Sequence, residues 1–309
     1  KDVINEYLRL NAELSIKASK LDSSSYEREL IDARIKQIMK IKTSLKTNSF
    51  KKSVIAECSE LFHIHKFEEL LDNKVHLIGF ENGVYDLEEG IFRDGIPEDY
   101  ISFSTKIDYV PFDEGSEEIQ EVDTFTKQVL PIEDVRRYVL RLFSSFLSGK
   151  TGHEKFHTWT GCGGNGKSKI IELFRLAFGD YCTTLPITII TEKRSRAEAC
   201  NPSLAKTKGK RFACLQEPEK DESINVGLMK EITGGDVIEA RGLYKDPIEF
   251  KPQFKLVLTC NDLPEIKASD IGTWRRVRVV NFPSKFVENP SKNTEAFEFL
   301  IDEDLEEKL

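Results

Sequence analysis

The sequence predicts an α/β fold in which a parallel-rich sheet is flanked by helices and preceded by an α/β or mainly helical accessory region. Three observations carry that prediction. From residue 155 onward short apolar runs alternate with helical periods; the segment Gly161-Cys162-Gly163-Gly164-Asn165-Gly166-Lys167-Ser168 matches G-x-x-x-x-G-K-[ST] between a strand and a helix; and the first 46 residues repeat apolar side chains at three- and four-residue steps.

Taken in order, Leu30, Ile31, Ile35, Ile38, Ile41 and Leu45 follow a helical period, and the break Asp22-Ser23-Ser24-Ser25 places a cap at Ser24 or Ser25, giving a helical hairpin. Between Val75 and Tyr109 the runs His76-Leu-Ile-Gly-Phe80 and Gly83-Val-Tyr-Asp-Leu87 read as short strands separated by turns. Pro111 to Gly115 is a linker, and Pro131 to Leu147 returns to helical periodicity through Val135, Tyr138, Val139, Leu142, Phe143 and Phe146. Lys155–Thr160 reads as a strand, Lys169–Phe178 as a helix, and Arg211–Gln216 and Phe254–Thr259 as buried strands. Two alternating runs in Asp236–Phe250 form a hairpin, and Thr294–Leu309 reads as an acidic helix. No 20- to 50-residue repeat is present, which excludes solenoids and propellers. The expected organisation is a helical segment at 1–60, a small α/β accessory domain at 61–115, the phosphate-loop domain at 116–287, and the start of a C-terminal region at 288–309.

Composition narrows the class. The 309 residues are 39% hydrophobic and 32% charged, which suits a globular chain and excludes wholesale disorder. The longest apolar runs fall far short of the roughly 20 residues a membrane span needs, so no membrane partner is expected. The chain lacks an initiator Met and a signal peptide and ends in a charged run, and so reads as a fragment of a longer, intracellular protein. Its six cysteines form no C-x-x-C pair, which argues against zinc and for reduced thiols. A net charge of −8 argues against a protein that coats nucleic acid over its whole surface. Charge is segregated, however: Lys193, Arg194, Arg196, Lys206, Lys208, Lys210 and Arg211 stand against one acid, Glu198, while Asp113–Asp134 and Glu288–Leu309 are strongly acidic. The basic stretch leaves a local groove open.

Glycines let the 161–166 backbone curl around phosphate oxygens, and the following helix N-terminus favours negative charge. Gly161, Cys162, Gly163, Gly164, Asn165, Gly166, Lys167, Ser168 and Lys169 are therefore the candidate nucleotide-binding residues, with Lys167 reaching the β- and γ-phosphates of ATP and Ser168 ligating Mg²⁺. Hydrolysis also needs an acid at the end of a neighbouring strand. Glu217, after Phe212-Ala-Cys-Leu-Gln216, is the candidate, where phosphate-loop enzymes usually place Asp or an acidic pair. Either Glu217 positions water while Glu219 joins the metal shell, or Glu217 does both. Asn261, after a further strand, can hold the water or the γ-phosphate, although such an Asn is commonly a turn residue.

In this order the pieces resemble a superfamily 3 helicase, the helicase portion of the primase-helicases of large DNA viruses of the poxvirus, asfarvirus and mimivirus kind and of related phages. The resemblance runs through Gly161–Ser168, Arg211–Glu219, Leu228–Asp236 with its hairpin, Phe254–Pro264 and Asp270–Arg276, with Phe80–Leu87 and Pro97–Asp99 resembling the domain before the ATPase. It implies an AAA+-like domain at 116–287, a collar-like region before it, and a homo-hexameric ring that moves 3′ to 5′ on single-stranded DNA by ATP hydrolysis. Other replication proteins are possible partners, and the implied setting is a virus replication site in the host cytoplasm, with the nucleus also open. The resemblance further implies an arginine acting across the subunit interface, Arg276 in preference to Arg275, and a Lys before the hairpin, Lys230, whose role on nucleotide or DNA stays open. At the hairpin tip Arg241 and Lys245 can grip phosphates while Tyr244 packs on a sugar or base.

Three rivals share some of these features. A GTP or small-molecule enzyme would want N-K-x-D, which Asn261-Asp262 lacks. An AAA+ protein remodeller would prefer an apolar pore loop to Arg241–Lys245. A non-unwinding DNA-anchoring module would follow if Gln216 in place of an acid disables metal chemistry. Asp302-Glu303-Asp304 is not beside a strand, so no primase site is read here.

Overall fold

The computed structural model describes residues 2–192, 200–215, 217 and 222–308. The chain divides into two units, Lys1–Phe67 and Glu68–Leu309. In the first, α1 (Asp2–Ser19), α2 (Tyr26–Ser44) and α3 (Asn48–Leu61) are helical. α1 packs on α2, burying Ala18, Ile31 and Ile38; the two isoleucines lie two turns apart on one face. Of the two candidate caps, Ser25 is the one that serves, accepting the Arg28 N–H at 3.2 Å. The Arg28 guanidinium then donates to the Ala18 carbonyl at 2.6 Å, closing the hairpin. A single turn, α4 (Phe67–Leu70), follows.

The second unit opens with an antiparallel meander, β1 (Leu77–Phe80), β2 (Gly83–Asp86) and β3 (Ile91–Arg93). Two helices follow, α5 (Glu117–Val129) and α6 (Glu133–Leu147), and then the main sheet begins with β4 (Phe156–Thr160). Its other strands are β5 (Cys182–Leu185), β6 (Phe212–Leu215), β9 (Lys255–Thr259) and β10 (Val277–Asn281), in the order β10-β4-β9-β6-β5, and every neighbouring pair is parallel. Parallel neighbours need long crossovers. These hold α7 (Lys167–Phe178), α8 (Thr188–Thr191), α9 (Pro202–Ala205), α10 (Val226–Thr233), the hairpin β7 (Ile238–Arg241) and β8 (Pro247–Phe250), and α11 (Ile271–Trp274). Both faces of the sheet are covered. On one, Trp159, Phe212, Val257 and Val280 pack with Phe143 and Phe146 of α6 and Ile170 of α7. On the other, Phe156, Ala213, Leu215, Leu256 and Leu258 pack with Ile190 and Met229. The parallel-rich α/β sheet flanked by helices is therefore present.

Two buried polar side chains tie the meander segment to the sheet. The Tyr181 hydroxyl accepts the Gly79 N–H at 2.8 Å and donates to the Phe103 carbonyl at 3.2 Å, and burial pushes its pKa up to about 12. Arg211, only 2% exposed, donates to the carbonyls of Val75 at 2.5 Å, Leu77 at 3.1 Å and Lys74 at 3.3 Å. These contacts take part of the basic stretch out of the groove that the sequence left open. Arg211 is internal, Lys210 bonds the Asp180 carbonyl and lies 4.1 Å from the centre of the Phe103 ring, and Lys208 donates to the Glu68 carbonyl at 2.6 Å. Lys193, Arg194 and Arg196 lie outside the described residues.

The acidic tail is corrected too. Residues 298–300 form β12 (Glu298–Leu300), parallel to β11 (Lys285–Val287), with Phe299 opposite Phe286, and α12 is confined to Leu305–Lys308. The aromatic and aliphatic run Phe297, Phe299, Leu300 and Ile301, interrupted only by Glu298, favours pairing over helix here. Among the described residues no helix is long and apolar enough to cross a membrane.

Two stability predictions follow from these buried groups. Arg211→Leu removes a charged donor from three carbonyls and is expected to cost about 3 kcal/mol in urea unfolding of the second unit; a loss under about 1 kcal/mol would show those carbonyls find other donors. His157 of β4, 3% exposed, has its pKa pushed down to about 4 by burial first and then by Arg278, Lys155 and Lys255. Between roughly pH 6.5 and 4 the unfolded chain thus binds one proton more than the folded one, so stability falls as pH drops through this window, by about 3 kcal/mol in total. Denaturation of wild type and His157→Gln across that window checks it, since the variant should lose this part of the slope.

Candidate nucleotide site

Because β4, β9 and β6 are adjacent and parallel, their C-terminal ends share one edge of the sheet. The glycine-rich loop leaves β4 there, Asn261 lies two residues beyond β9, and Glu217 two residues beyond β6. Side chains far apart in sequence consequently meet. The Lys167 ammonium donates to the Gly161 carbonyl at 2.5 Å and to Asn261 Oδ1 at 3.4 Å, and the Asn261 N–H donates to Glu217 Oε1 at 2.9 Å. Thr160 Oγ1 fixes the same turn by donating to the Asn261 carbonyl at 2.8 Å. Burial lowers the Lys167 pKa, opposed in part by the Glu217 carboxylate.

The loop takes its shape from backbone that favours glycine. Gly164 and Gly166 have φ of +72° and +82°, left-handed values that a Cβ disfavours. α7 starts at Lys167, two residues earlier than the periodicity alone indicates, so Ser168 lies in its first turn. Ser168, Cys162, Gly163 and Gly164 are exposed, and the loop mouth is open. Asn165 is buried beneath it: its Oδ1 accepts the Lys167 N–H at 3.2 Å while its Nδ2 donates to the Phe282 carbonyl at 3.4 Å. Phe286 N–H caps the loop from the same side, donating to the Gly164 carbonyl at 2.9 Å. Lys169 pairs with Glu172 at 3.0 Å on its own helix. Gln216, Pro218 and Glu219 lie outside the described residues.

The remaining candidates are elsewhere. Arg275 and Arg276 precede β10, whose first residue is in register with the first residue of β4, so they sit at the opposite end of the strands from the loop, about 15 Å away at roughly 3.3 Å per residue. One carboxylate holds both: Glu154 Oε2 lies 2.5 Å from Arg275 and 2.9 Å from Arg276. Arg276, the more enclosed, also donates to the Gly272 carbonyl at 2.9 Å. Lys230 joins this end, pairing with Asp270 at 2.8 Å, and that ammonium, ahead of the Thr273 contacts, lowers the Asp270 pKa to about 2. At the hairpin, Ile238, Ala240 and Phe250 pack against α9, leaving the tip free. Arg241 Nε donates to the Lys245 carbonyl at 2.9 Å, and Tyr244, held at φ +57°, is 96% exposed. The loop, Lys167, Asn261 and Glu217 are thus brought together, whereas Arg275, Arg276 and Lys230 form a second group and Arg241, Tyr244 and Lys245 a third.

A family model described as D5 N terminal like matches residues 7–131, and one described as a family of unknown function, DUF5906, matches residues 159–276. A protein of Acanthamoeba polyphaga mimivirus named "Putative helicase" is 44% identical over 287 residues, 93% of this chain and 30% of that protein. The chain resembles the D5-like viral helicases and primases. A "Putative helicase" of Frog virus 3 is 30% identical, covering 91% of this chain and 36% of its own, and a "Putative primase" of African swine fever virus is 29% identical, covering 84% and 27%. This D5-like chain spans about a third of the length of the curated relatives it matches. Among solved structures it is similar to the apo C-terminal region of NrS-1, with 15% identity, a TM-score of 0.47, and coverage of 72% of this chain and 48% of that one.

Sequence reasoning missed Glu154, Phe282 and Phe286. Nothing in the local pattern marks them, because each acts through strand register rather than through a motif. The glycine geometry of the loop is directly testable. At Gly166 a Cβ would lie 2.7 Å from Val129 Cγ2, so Gly166→Ala is expected to cost at least about 1–2 kcal/mol. At Gly163 a Cβ meets nothing within 4 Å, and Gly163→Ala is expected to change stability by less than about 0.5 kcal/mol; the two urea midpoints make the comparison.

Proposed function

We propose that this chain is the ATP-driven motor segment of a D5-like primase-helicase, a homo-hexameric ring that translocates 3′ to 5′ along single-stranded DNA during viral replication inside the host cell. The observation that carries the reading is the convergence of Lys167, Asn261 and Glu217 at the shared edge of β4, β9 and β6. A loop with two left-handed glycines, open peptide N–H groups and a lysine beneath it fits a polyphosphate. The donor set also fits magnesium: the exposed Ser168 hydroxyl and the Glu217 carboxylate are hard oxygen ligands, and Mg²⁺ between them would neutralise charge on the β- and γ-phosphates.

The side chains then divide the work. Lys167, now spent on the Gly161 carbonyl and Asn261, exchanges those contacts for phosphate oxygens. Asn261 orients the attacking water. Glu217, held by the Asn261 N–H, accepts a proton from that water as its oxygen bonds to the γ-phosphorus and the bond to the leaving ADP oxygen breaks. Arg275 and Arg276 lie too far along the strands to touch the same chain's nucleotide, so either acts only on a neighbouring copy, where a cation stabilises the transferring phosphoryl group. Such an arginine must first leave Glu154. At the hairpin tip Arg241 and Lys245 hold phosphates and the exposed Tyr244 stacks, a sequence-tolerant mode.

The test is ATP turnover across protein concentration, with and without single-stranded DNA. Turnover is expected to rise cooperatively with concentration and with DNA. Lys167→Ala should abolish it, Arg276→Ala should lower it at least a hundredfold while nucleotide binding is kept, and Tyr244→Ala should remove the DNA stimulation alone. DNA-independent turnover would favour a protein remodeller, and absent turnover a DNA-anchoring module.

A further inference from the structure

The main sheet has a basic row where an apolar one is expected. His157 of β4 and Arg278 of β10 are direct register partners, and Lys255 opens β9 two residues before Val257, the partner of His157 on its other side. Val257 itself, and Trp159 and Val280 in the next row on the same face, are all core. Over the basic row α6 presents Tyr138, Arg141, Leu142 and Ser145, spaced i, i+3, i+4 and i+7, and the two surfaces enclose a cavity of about 330 Å³, within the range of small-molecule sites. It lies at the N-terminal ends of the strands, away from the glycine-rich loop.

Charge in this cavity is uncompensated. Its single lining carboxylate, Glu154, is already shared by Arg275 and Arg276. The Lys255 ammonium is accounted for, since it donates to the Ser145 and Ser148 carbonyls at 2.5 Å each, at the α6 C-terminus where a cation is favoured. Arg278 donates only to the backbone carbonyls of Arg275 at 3.1 Å and Val277 at 2.8 Å, and Lys155 to that of Arg275 at 2.9 Å. Among the described residues no carboxylate pairs with Arg141, Lys155 or Arg278. The Tyr138 hydroxyl lies 3.2 Å from His157 Nδ1, and the imidazole is kept neutral by burial and by these neighbours. Cations drawn to one half-open cavity without a counter-charge are unfavourable, and Arg278 of β10, Lys155 before β4 and Arg141 of α6 facing the same space is a pattern that a bound anion resolves.

We propose that this cavity is a second ligand site for a small organic phosphate of mononucleotide size. Donors reach it from β10 through Arg278, from the rim through Lys155 and from α6 through Arg141, an arrangement that suits a tetrahedral dianion with an oxygen for each rather than a planar carboxylate. Leu142, Ile232 and Phe254 line the remainder and receive the apolar part. The site does not depend on the ATPase reading.

Calorimetric titration of the whole chain carrying Lys167→Ala, which disables the glycine-rich loop, separates the two. Adenosine 5′-monophosphate is expected to bind at least tenfold more tightly than adenosine, to be displaced by inorganic phosphate, and to shift the His157 imidazole resonances. Adding Arg278→Gln should weaken binding at least tenfold; if that variant does not fold, Arg141→Gln, on the exposed side of α6, should weaken it at least threefold. Equal binding of nucleotide and nucleoside, indifference to phosphate, or affinity lost with Lys167→Ala yet unchanged by Arg278→Gln or Arg141→Gln would overturn the proposal.

Discussion

Three parallel strands that stop at one edge set the distances on which the candidate nucleotide site depends. Because β9 is inserted between β4 and β6, Asn261 faces both Lys167 and Glu217, and its side chain and backbone do so separately. The division is economical in a physical sense. Glu217 is held by a backbone N–H whose position follows from the strand, so the carboxylate is oriented without a second side chain competing for the lysine. The price falls on the core: trapping β9 between two parallel neighbours makes its central residues Leu256, Val257 and Leu258 fully enclosed on both faces.

The same sheet separates its two ends by function. Residues leaving the C-terminal ends of the strands form the candidate nucleotide site; at the N-terminal ends Glu154 pairs with Arg275 and Arg276, and Lys230 pairs with Asp270. An arginine pair gripped by a single glutamate is a stable resting arrangement for one chain alone. In the proposed motor, its exchange for another chain's phosphate would be favourable only if that contact exceeds the pairing it replaces, and hydrolysis would then depend on assembly.

What could be read from the residues followed how local each feature is. The loop was legible because glycine spacing reports backbone geometry directly, and the Asp236–Phe250 hairpin because its alternation spans only its own two strands. The helical hairpin and its serine cap were legible for the same reason. Strand order was not: β5, whose Cys182-Thr-Thr-Leu185 is half-covered at a sheet edge, and β10, with Arg278 in its middle, lack the apolar runs that mark buried strands. Charge counting misled in two places. It counted Arg211 in a basic stretch open to a groove although three carbonyls draw its guanidinium inside, and it took the acidic tail for a helix although Phe299 pairs across to β11. In both, a long-range partner outweighed local composition.

The glycine-rich loop also depends on residues made much later. Asn165 and the Phe282 carbonyl it bonds are 117 positions apart, and the Gly164 carbonyl waits for Phe286. During synthesis the loop therefore leaves the ribosome without either contact, and it is completed only when the strand beyond β10 has emerged and folded back. A nascent chain cannot complete the loop until nearly the whole sheet exists. Premature termination between Ser168 and Phe282 would yield a polypeptide that carries the full glycine motif and lacks the backbone that holds it in shape.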